Sequence, residues 1–177
     1  MPAAVPRPPL HVVVMGVSGC GKSAVGARVA ARLGLPLVEG DDFHPAANIE
    51  KMRQGVPLQD TDRALWLERL ADELRRHPQG AVLTCSALKR SYRDILRGAV
   101  PALHFIHLAL SQQQALSRVA SRTDHFYPPS LVASQFSTLE DPAGEPRVLG
   151  VDATEHPDRI AEQATHWLVG TSSFNNA

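Results

Sequence analysis

One stretch of the chain, GVSGCGKS at residues 16–23, constrains the fold more strongly than any other. It matches the pattern G-x-x-x-x-G-K-[ST] at every fixed position. An apolar run, Leu10 to Met15, precedes it, and Ala24 to Leu33 follows with the alanine and leucine content of a helix. A strand, a glycine-rich loop and a helix in this order form the usual setting of a phosphate-binding loop. The sequence therefore predicts an α/β fold arranged around a nucleoside triphosphate.

The residue types in this loop suit a polyphosphate. Glycine allows the backbone to turn tightly and to approach an anion, so that successive N–H groups point at phosphate oxygens. Lys22 is expected between the β- and γ-phosphates, and the Ser23 hydroxyl is expected to bind Mg²⁺. A glycine-rich turn that binds nothing would not need Lys-Ser at these positions. The predicted nucleotide ligands are the whole loop: Gly16, Val17, Ser18, Gly19, Cys20, Gly21, Lys22 and Ser23.

The length and the composition indicate one domain. With 177 residues, 44% of them hydrophobic, the chain can bury one core and is short for two. We expect a folded domain over 10–170, preceded by a disordered, proline-containing lead-in at 1–9 and followed by a frayed tail at 171–177. Five apolar segments alternate with helical ones, which predicts a three-layer α/β/α domain with a mainly parallel five-stranded sheet.

Charge and cysteine content exclude several function classes. Acidic and basic side chains balance at 18 each, so no net field favours nucleic acid or an anionic membrane as a partner. No apolar run approaches the roughly 18 residues that a membrane helix needs. The two cysteines, Cys20 and Cys85, fit neither a disulfide framework nor a zinc site. These features favour a reduced, cytoplasmic setting.

Charged clusters follow the predicted strands. One cluster, Glu39 to His44, comes after the second strand, and Lys89 and Arg93 come after the third. The carboxyl ends of parallel strands form the ligand crevice of such a sheet, although a solvated loop or a basic helix end would show the same residues. Arg118 and Arg122 lead into a proline-bounded loop, which indicates either a small lid at about 122–130 or ordinary surface arginines.

Four motifs together resemble the small gluconokinase family that phosphorylates D-gluconate at its 6-hydroxyl. They are GVSGCGKS, EGDDFHPAANIEKM with GVPLQDTDR behind it, CSALKRSYRDILR, and HFYPPSLVASQFSTLE. The first occurs in many NTPases, whereas the other three are close to diagnostic. The resemblance extends from about Val12 to the end of the last strand. It implies a homodimeric kinase that uses ATP and Mg²⁺ and has gluconate as its substrate.

The resemblance also implies roles for individual residues. Asp41 matches the acidic residue that orients the acceptor hydroxyl and can deprotonate it, and Glu39 would hold a Mg²⁺-bound water. Arg122 would neutralise charge on the transferring phosphoryl group, and Arg118 would stack on adenine or share that task. The expected gluconate ligands, besides Asp41, are His44, Arg53, Lys89, Arg93 and His125.

One position departs from the family pattern, and one site departs from the pattern of NTPases in general. Asp124 stands where the family often has glycine, which bears on the flexibility of the lid. Cys85-Ser86 stands where an NTPase often has a metal-binding aspartate after a strand, so metal binding would rest on Ser23, the phosphates and waters held by Glu39 or Asp41. Two alternatives remain open: a kinase of another small hydroxy acid, such as shikimate, and a nucleotide-dependent switch without a small-molecule acceptor.

Overall fold

The structure, a computed structural model, describes residues 7–122 and 127–174, with the side chains of 172–174 left aside. Its strands are β1 (Leu10–Met15), β2 (Leu37–Glu39), β3 (Gly80–Thr84), β4 (His104–Ala109) and β5 (Val148–Asp152). Its α-helices are α1 (Lys22–Leu33), α2 (Ala46–Arg53), α3 (Asp60–Arg75), α4 (Arg90–Ala99), α5 (Gln112–Ser121), α6 (Ser130–Thr138) and α7 (Pro157–Phe174). A short 3₁₀ helix, Gly40–Phe43, joins β2 to α2.

The five strands form one parallel sheet in the order β2-β3-β1-β4-β5. In this register Val14 pairs with Thr84, and Met15 pairs with His107, so the strands end together at one edge. Helix α1 packs on α7, and α3 packs on α4, which gives the helical layers on the two faces of the sheet. The predicted three-layer α/β/α fold is confirmed.

The core is centred on the strand that leads into the phosphate-binding loop. Residues 12–15 of β1 and 81–83 of β3 are fully buried. Such continuous apolar runs are expected where both faces of a parallel sheet are covered by helices. Because β1 lies in the middle of the sheet, the loop that follows it begins from the buried core.

The structure differs from the sequence prediction mainly at the ends of elements. Helix α7 continues through Phe174, so the frayed tail expected from residue 171 is wrong for 171–174; residues 175–177 lie outside the described part. Residues 7–9 have no regular secondary structure. Residues 1–6, the rest of the expected lead-in, lie outside the described part of the chain. The 3₁₀ helix was not predicted. Among the described residues, none of the helices has the length and apolar character needed to cross a membrane.

Candidate active site

A cleft of about 460 Å³ opens at the carboxyl edge of the sheet. The phosphate-binding loop and α1 contribute Lys22 and Ser23 to its wall, and the 3₁₀ helix contributes Asp41. The other lining residues used below are His44, between the 3₁₀ helix and α2, and residues from α2, α3 and the segments around α5 and α6: Arg53, Arg63, Trp66, Arg122, Tyr127 and Gln135. Residues expected to bind nucleotide and residues expected to bind acceptor therefore face one space.

The phosphate-binding loop is closely packed against the end of β4. A Cβ atom at Gly16 would lie 2.7 Å from Cys20 Sγ and 3.0 Å from the Leu108 carbonyl oxygen, so this position requires glycine. The Lys22 ammonium group donates to the carbonyl oxygens of Gly16 at 3.0 Å and Val17 at 3.1 Å. The loop thus holds its lysine folded back over its own backbone.

Arg118 contacts the loop through its carbonyl groups. Its guanidinium donates to Gly19 O at 3.2 Å, to Cys20 O at 3.4 Å and, at the end of β5, to Ala153 O at 2.8 Å. Because the C=O and N–H groups of a trans peptide point in opposite directions, these bonds help to turn loop N–H groups the other way. The predicted contact of Arg118 with adenine stays a prediction.

Gln135 of α6 is a second side chain that holds the loop, and it was not predicted from the sequence. Gln135 Oε1 accepts a hydrogen bond from the Ser18 backbone N–H at 2.6 Å, and Gln135 Nε2 donates to the Tyr127 hydroxyl at 2.7 Å. Gln135 is 117 positions from Ser18 in the chain. Gln135 lies in the motif HFYPPSLVASQFSTLE, but nothing in local spacing identifies its pairing with Ser18.

The two residues expected at the metal site do meet. Ser23 Oγ donates to Glu39 Oε2 at 3.0 Å, which places a hydroxyl and a carboxylate oxygen together at the mouth of the loop. Thr84 Oγ1 also donates to Glu39 Oε2, at 2.6 Å, and was missed from the sequence. These oxygen ligands suit Mg²⁺, which usually keeps several waters and takes one or two protein carboxylates together with phosphates. A serine hydroxyl and one carboxylate are therefore a fitting donor set.

Cysteine does not add to this metal site. Cys85 follows β3 and is buried, and burial raises the pKa of its thiol to about 12, so it stays protonated. Within 7–122 and 127–174, no group of three or more His, Cys, Asp or Glu residues is arranged to hold a metal ion. A metal at Ser23 and Glu39 would accordingly depend on the nucleotide phosphates for its remaining ligands.

The acceptor half of the cleft is built on the 3₁₀ helix and α3. The side chain of Asp41 is 85% exposed and faces the cleft, and its Oδ1 lies 3.8 Å from His44 Nε2. His44 stacks on Trp66 with ring centroids 4.1 Å apart, and the Trp66 indole N–H donates to Gly40 O at 2.8 Å. Gly40 cannot carry a side chain, since a Cβ there would lie 2.1 Å from Thr84 O.

His44 is neutral in this environment. Desolvation by burial, opposed by Asp41 and assisted by Arg63, lowers its pKa from 6.5 to about 4. The side-chain amide of Asn48 donates to Asp62 O at 2.8 Å and reaches His44 Nδ1 at 3.3 Å, so Nδ1 is the acceptor and Nε2 carries the proton. His44 is thus a hydrogen-bonding group for a hydroxyl, and a cationic contribution from it is excluded near neutral pH.

Arg93, expected to bind gluconate, is not available for that role. Its side chain is fully buried, and its guanidinium donates to both carboxylate oxygens of Glu145, at 3.1 and 2.7 Å, and to the carbonyl oxygens of Ala87, Leu88 and Glu140. These bonds fasten α4 to the segment that precedes β5. The prediction is corrected: Arg93 is a structural residue. Lys89 and Arg93 are four residues apart, which predicts that they share one helix face, but this spacing does not reveal how deeply each side chain is buried.

The other expected cations differ in availability. Lys89 pairs with Asp60 at 2.9 Å and is not among the described residues that line the cleft. Arg53 lines the cleft, and its pairing with Glu50 is at 3.6 Å between exposed side chains. Arg122 also lines it, at the C-terminal end of α5. The predicted residues His125 and Asp124, and with them the centre of the lid, lie outside the described residues.

Arg63 is a cleft cation that was not predicted from the sequence. It is 7% exposed, its guanidinium donates to the Leu58 carbonyl oxygen and lies 3.4 Å from the Tyr92 hydroxyl, and it lines the cleft. Among the described residues it forms no ion pair within 4.0 Å, although its charge contributes to lowering the pKa of Asp60 and Asp62 nearby. Its position in GVPLQDTDR was visible, but the charge pattern there gave no reason to separate it from a solvated helix start.

A phosphate-binding loop at the centre of a parallel sheet, with an acidic residue facing it across a cleft, defines a P-loop kinase of the small-molecule type. A family model described as an AAA domain matches residues 12–142. The chain is 48% identical over 158 residues to a gluconokinase from Gluconobacter oxydans (strain 621H), covering 88% of this chain and 89% of that protein. The chain belongs to the gluconokinase family.

Solved structures agree with this assignment. A gluconokinase from Sinorhizobium meliloti 1021 superposes with a TM-score of 0.88 at 44% identity, covering 96% of this chain and 97% of that one. A shikimate kinase from Aquifex aeolicus vf5 superposes with a TM-score of 0.59 at 14% identity, over 92% of this chain and 98% of the other. The second similarity shows a shared fold only.

Proposed function

We propose that the protein transfers the γ-phosphoryl group of ATP to the 6-hydroxyl of D-gluconate, giving 6-phospho-D-gluconate and ADP. The observation that carries this proposal is the exposed carboxylate of Asp41 in the same cleft as Lys22, in a chain of the gluconokinase family. Such a transfer needs little covalent chemistry from the protein. It needs two substrates held in line and the developing charge neutralised.

In the donor half, the N–H groups of residues 16–23 would bind the phosphates, and Lys22 would move from the Gly16 and Val17 carbonyls to the β- and γ-phosphates. When bound, Mg²⁺ would supply positive charge that neutralises the phosphates. Ser23 would ligate it directly, and Glu39, held by Thr84, would hold one of its waters. Arg118 and Arg122 would supply further positive charge at the nucleotide.

In the acceptor half, Asp41 would accept a hydrogen bond from the 6-hydroxyl and take its proton as the bond to phosphorus forms. His44 Nε2 lies 3.8 Å from that carboxylate, and as a neutral Nε2–H donor it suits a sugar hydroxyl. Its stacking on Trp66 fixes the ring. Lys89 and His125 are further proposed gluconate ligands, and Lys89 would exchange its partner Asp60 for the substrate.

For the carboxylate of gluconate we propose Arg63 and Arg53. Arg63 presents a guanidinium at the cleft wall without a paired carboxylate among the described residues, and guanidinium suits a carboxylate because it offers two parallel N–H donors. Arg53 lies at the exposed C-terminal end of α2 and also lines the cleft. The two would share the acid end of the substrate.

Two further proposals concern the protein as a whole. A homodimer is proposed on family resemblance alone. A cytoplasmic location is proposed because both cysteines are free and ATP is the phosphoryl donor.

The test is an ADP-release assay with Mg-ATP in which D-gluconate, shikimate, D-glucose and no acceptor are compared. We expect turnover with gluconate alone, confirmed by oxidation of the product with 6-phosphogluconate dehydrogenase. D-Glucose is the matched control, because it offers a 6-hydroxyl without a carboxylate. Equal ADP release in all four tubes would identify an NTPase or switch, and turnover with shikimate in place of gluconate would identify another hydroxy-acid kinase.

A further inference from the structure

The phosphate-binding loop is held by side chains from two helices that are distant in sequence. Arg118 of α5 binds the carbonyls of Gly19 and Cys20, and Gln135 of α6 binds the N–H of Ser18. Helices α5 and α6 also contact each other. Ser18 is therefore the point at which α6 reaches the loop.

The bond to Ser18 fixes more than one amide. The Val17 carbonyl and the Ser18 N–H belong to the same planar trans peptide, so they point in opposite directions, and anchoring one sets the other. The Val17 carbonyl accepts from the Lys22 ammonium at 3.1 Å and from Cys20 N at 3.2 Å. Gln135 thus acts, through one peptide plane, on the atom that holds Lys22.

The Gln135 side chain is itself fixed. Its Nε2 donates to the Tyr127 hydroxyl, and the Ser18 side chain is a further hydrogen-bond partner of that phenol. Burial raises the pKa of Tyr127 to about 12, so the phenol stays neutral and keeps both its donor and acceptor capacity. Since the Ser18 N–H can only donate, Oε1 must be the atom that faces it, and Nε2 is left to donate to Tyr127.

We propose that Gln135 is a positioning residue for phosphoryl transfer: it orients the Val17–Ser18 peptide and through it the Lys22 ammonium, so that the donor phosphates are bound in register with the acceptor side of the cleft. This inference rests on the proposed function for its kinetic consequence. The orientation of the loop itself can be measured without any turnover.

Three variants test whether Gln135 orients the loop through its hydrogen bond to Ser18. Gln135→Met keeps the length of the side chain and removes both hydrogen bonds. Gln135→Glu keeps an oxygen that can accept from Ser18 N–H. Gln163→Met is the matched control, because Gln163 is an exposed glutamine on α7, outside the cleft.

Two readouts are compared in each variant. The first is the exchange rate of the Ser18 amide proton, measured by NMR on the full chain without ligand. We expect about fivefold faster exchange or more in Gln135→Met, from loss of a hydrogen bond of ordinary strength, and no change in Gln135→Glu. The second is steady-state kinetics. We expect kcat to fall about 10- to 100-fold in Gln135→Met with KM for gluconate within about threefold.

Gln135→Glu should change a different kinetic constant, KM for ATP. Its carboxylate would lie beside the phosphates, so KM for ATP should rise while Ser18 stays protected. Unchanged Ser18 exchange in Gln135→Met, a kcat within about twofold of wild type, or loss of Ser18 protection in Gln135→Glu would each overturn the proposal. If wild type shows no gluconate turnover, the proposed function fails, and the exchange data still decide whether Gln135 orients the loop.

Discussion

The two halves of the cleft are built in different ways. The donor half is one continuous stretch, residues 16–23, in which backbone N–H groups and a single lysine carry the chemistry. The acceptor half is assembled from side chains of the 3₁₀ helix, α2 and α3, and its charge depends on which of them are already paired. A motif can specify the first half, whereas the second is specified by tertiary partners.

Cations near the acceptor half show this difference clearly. Lys89 is paired with Asp60, 29 positions away, and Arg93 is paired with Glu145, 52 positions away. Lys51 is likewise paired with Asp62, at 2.7 Å. Arg63, by contrast, faces the cleft. A count of basic residues therefore predicts that an anion is bound but not which residue binds it.

The largest effect is expected in the donor half. Lys22→Ala should lower kcat about 10³-fold or more, because the charge it removes has no substitute within the loop. The fold should survive, since Lys22 is partly exposed at the cleft. Rate measurements at saturating Mg-ATP, with circular dichroism as the control, test this. Substantial residual turnover would mean that the loop is not the donor site.

The acceptor side is probed most directly at Asp41. Asp41→Asn should lower kcat about 10²- to 10⁴-fold and leave the Kd for ATP within about threefold, because a general base acts in the transition state. Asp42→Asn, at the adjacent exposed aspartate, is the control and should stay near wild type. Collapse of nucleotide affinity with a normal kcat would move Asp41 to the donor half.

Arg93 should affect stability and leave substrate binding unchanged. Arg93→Met leaves the buried carboxylate of Glu145 with only Arg97, and breaking a buried pair of this kind costs about 3–5 kcal/mol. Chemical denaturation gives the free energy of unfolding, and KM for gluconate is measured at a temperature where the variant is folded. A raised KM with unchanged stability would restore Arg93 as a substrate ligand.

Substitution of Arg63, unlike that of Arg93, should affect substrate binding. Arg63→Lys keeps the charge but loses the two parallel donors. We expect gluconate binding to weaken by about 1.5–3 kcal/mol, so that KM for gluconate rises about 10- to 150-fold. KM for ATP should not change. Arg53→Lys provides the comparison at the other proposed carboxylate ligand, and equal KM values in wild type and Arg63→Lys would leave the acid end to Arg53.

The smallest effect concerns the pH dependence of stability. The pKa of His44 is about 4 in the folded protein and 6.5 in the unfolded chain, so between these values the unfolded state binds more protons and stability falls as pH falls. This group alone should make the protein about 2 kcal/mol less stable at pH 5 than at pH 8. Unfolding free energies of wild type and His44→Gln at both pH values isolate the contribution, and parallel pH profiles would contradict it.

The fold and the donor half could be predicted because their determinants are local. The loop pattern, the apolar strands and the alternation of elements are all readable within short windows, and the strands of the structure match them. Gln135 and Arg63 could not be predicted, because their importance comes from a loop amide 117 positions away and from the lack of a carboxylate partner among the described residues. Arg93 was misassigned for the same reason, since helical spacing carries no information on depth. The long end of α7 was missed because the polar residues after Val169 resemble a tail.

Trp66 gives the acceptor half an optical reporter. The chain has two tryptophans, and Trp66 lines the cleft beneath His44, whereas Trp167 packs edge-on against His104 of β4. With Trp167 replaced by phenylalanine, the emission of the protein would come from a single indole that is stacked on an imidazole and bonded to the backbone of the 3₁₀ helix. Acceptor binding could then be followed in real time and without nucleotide, so that the order in which the two substrates enter becomes a measurable quantity.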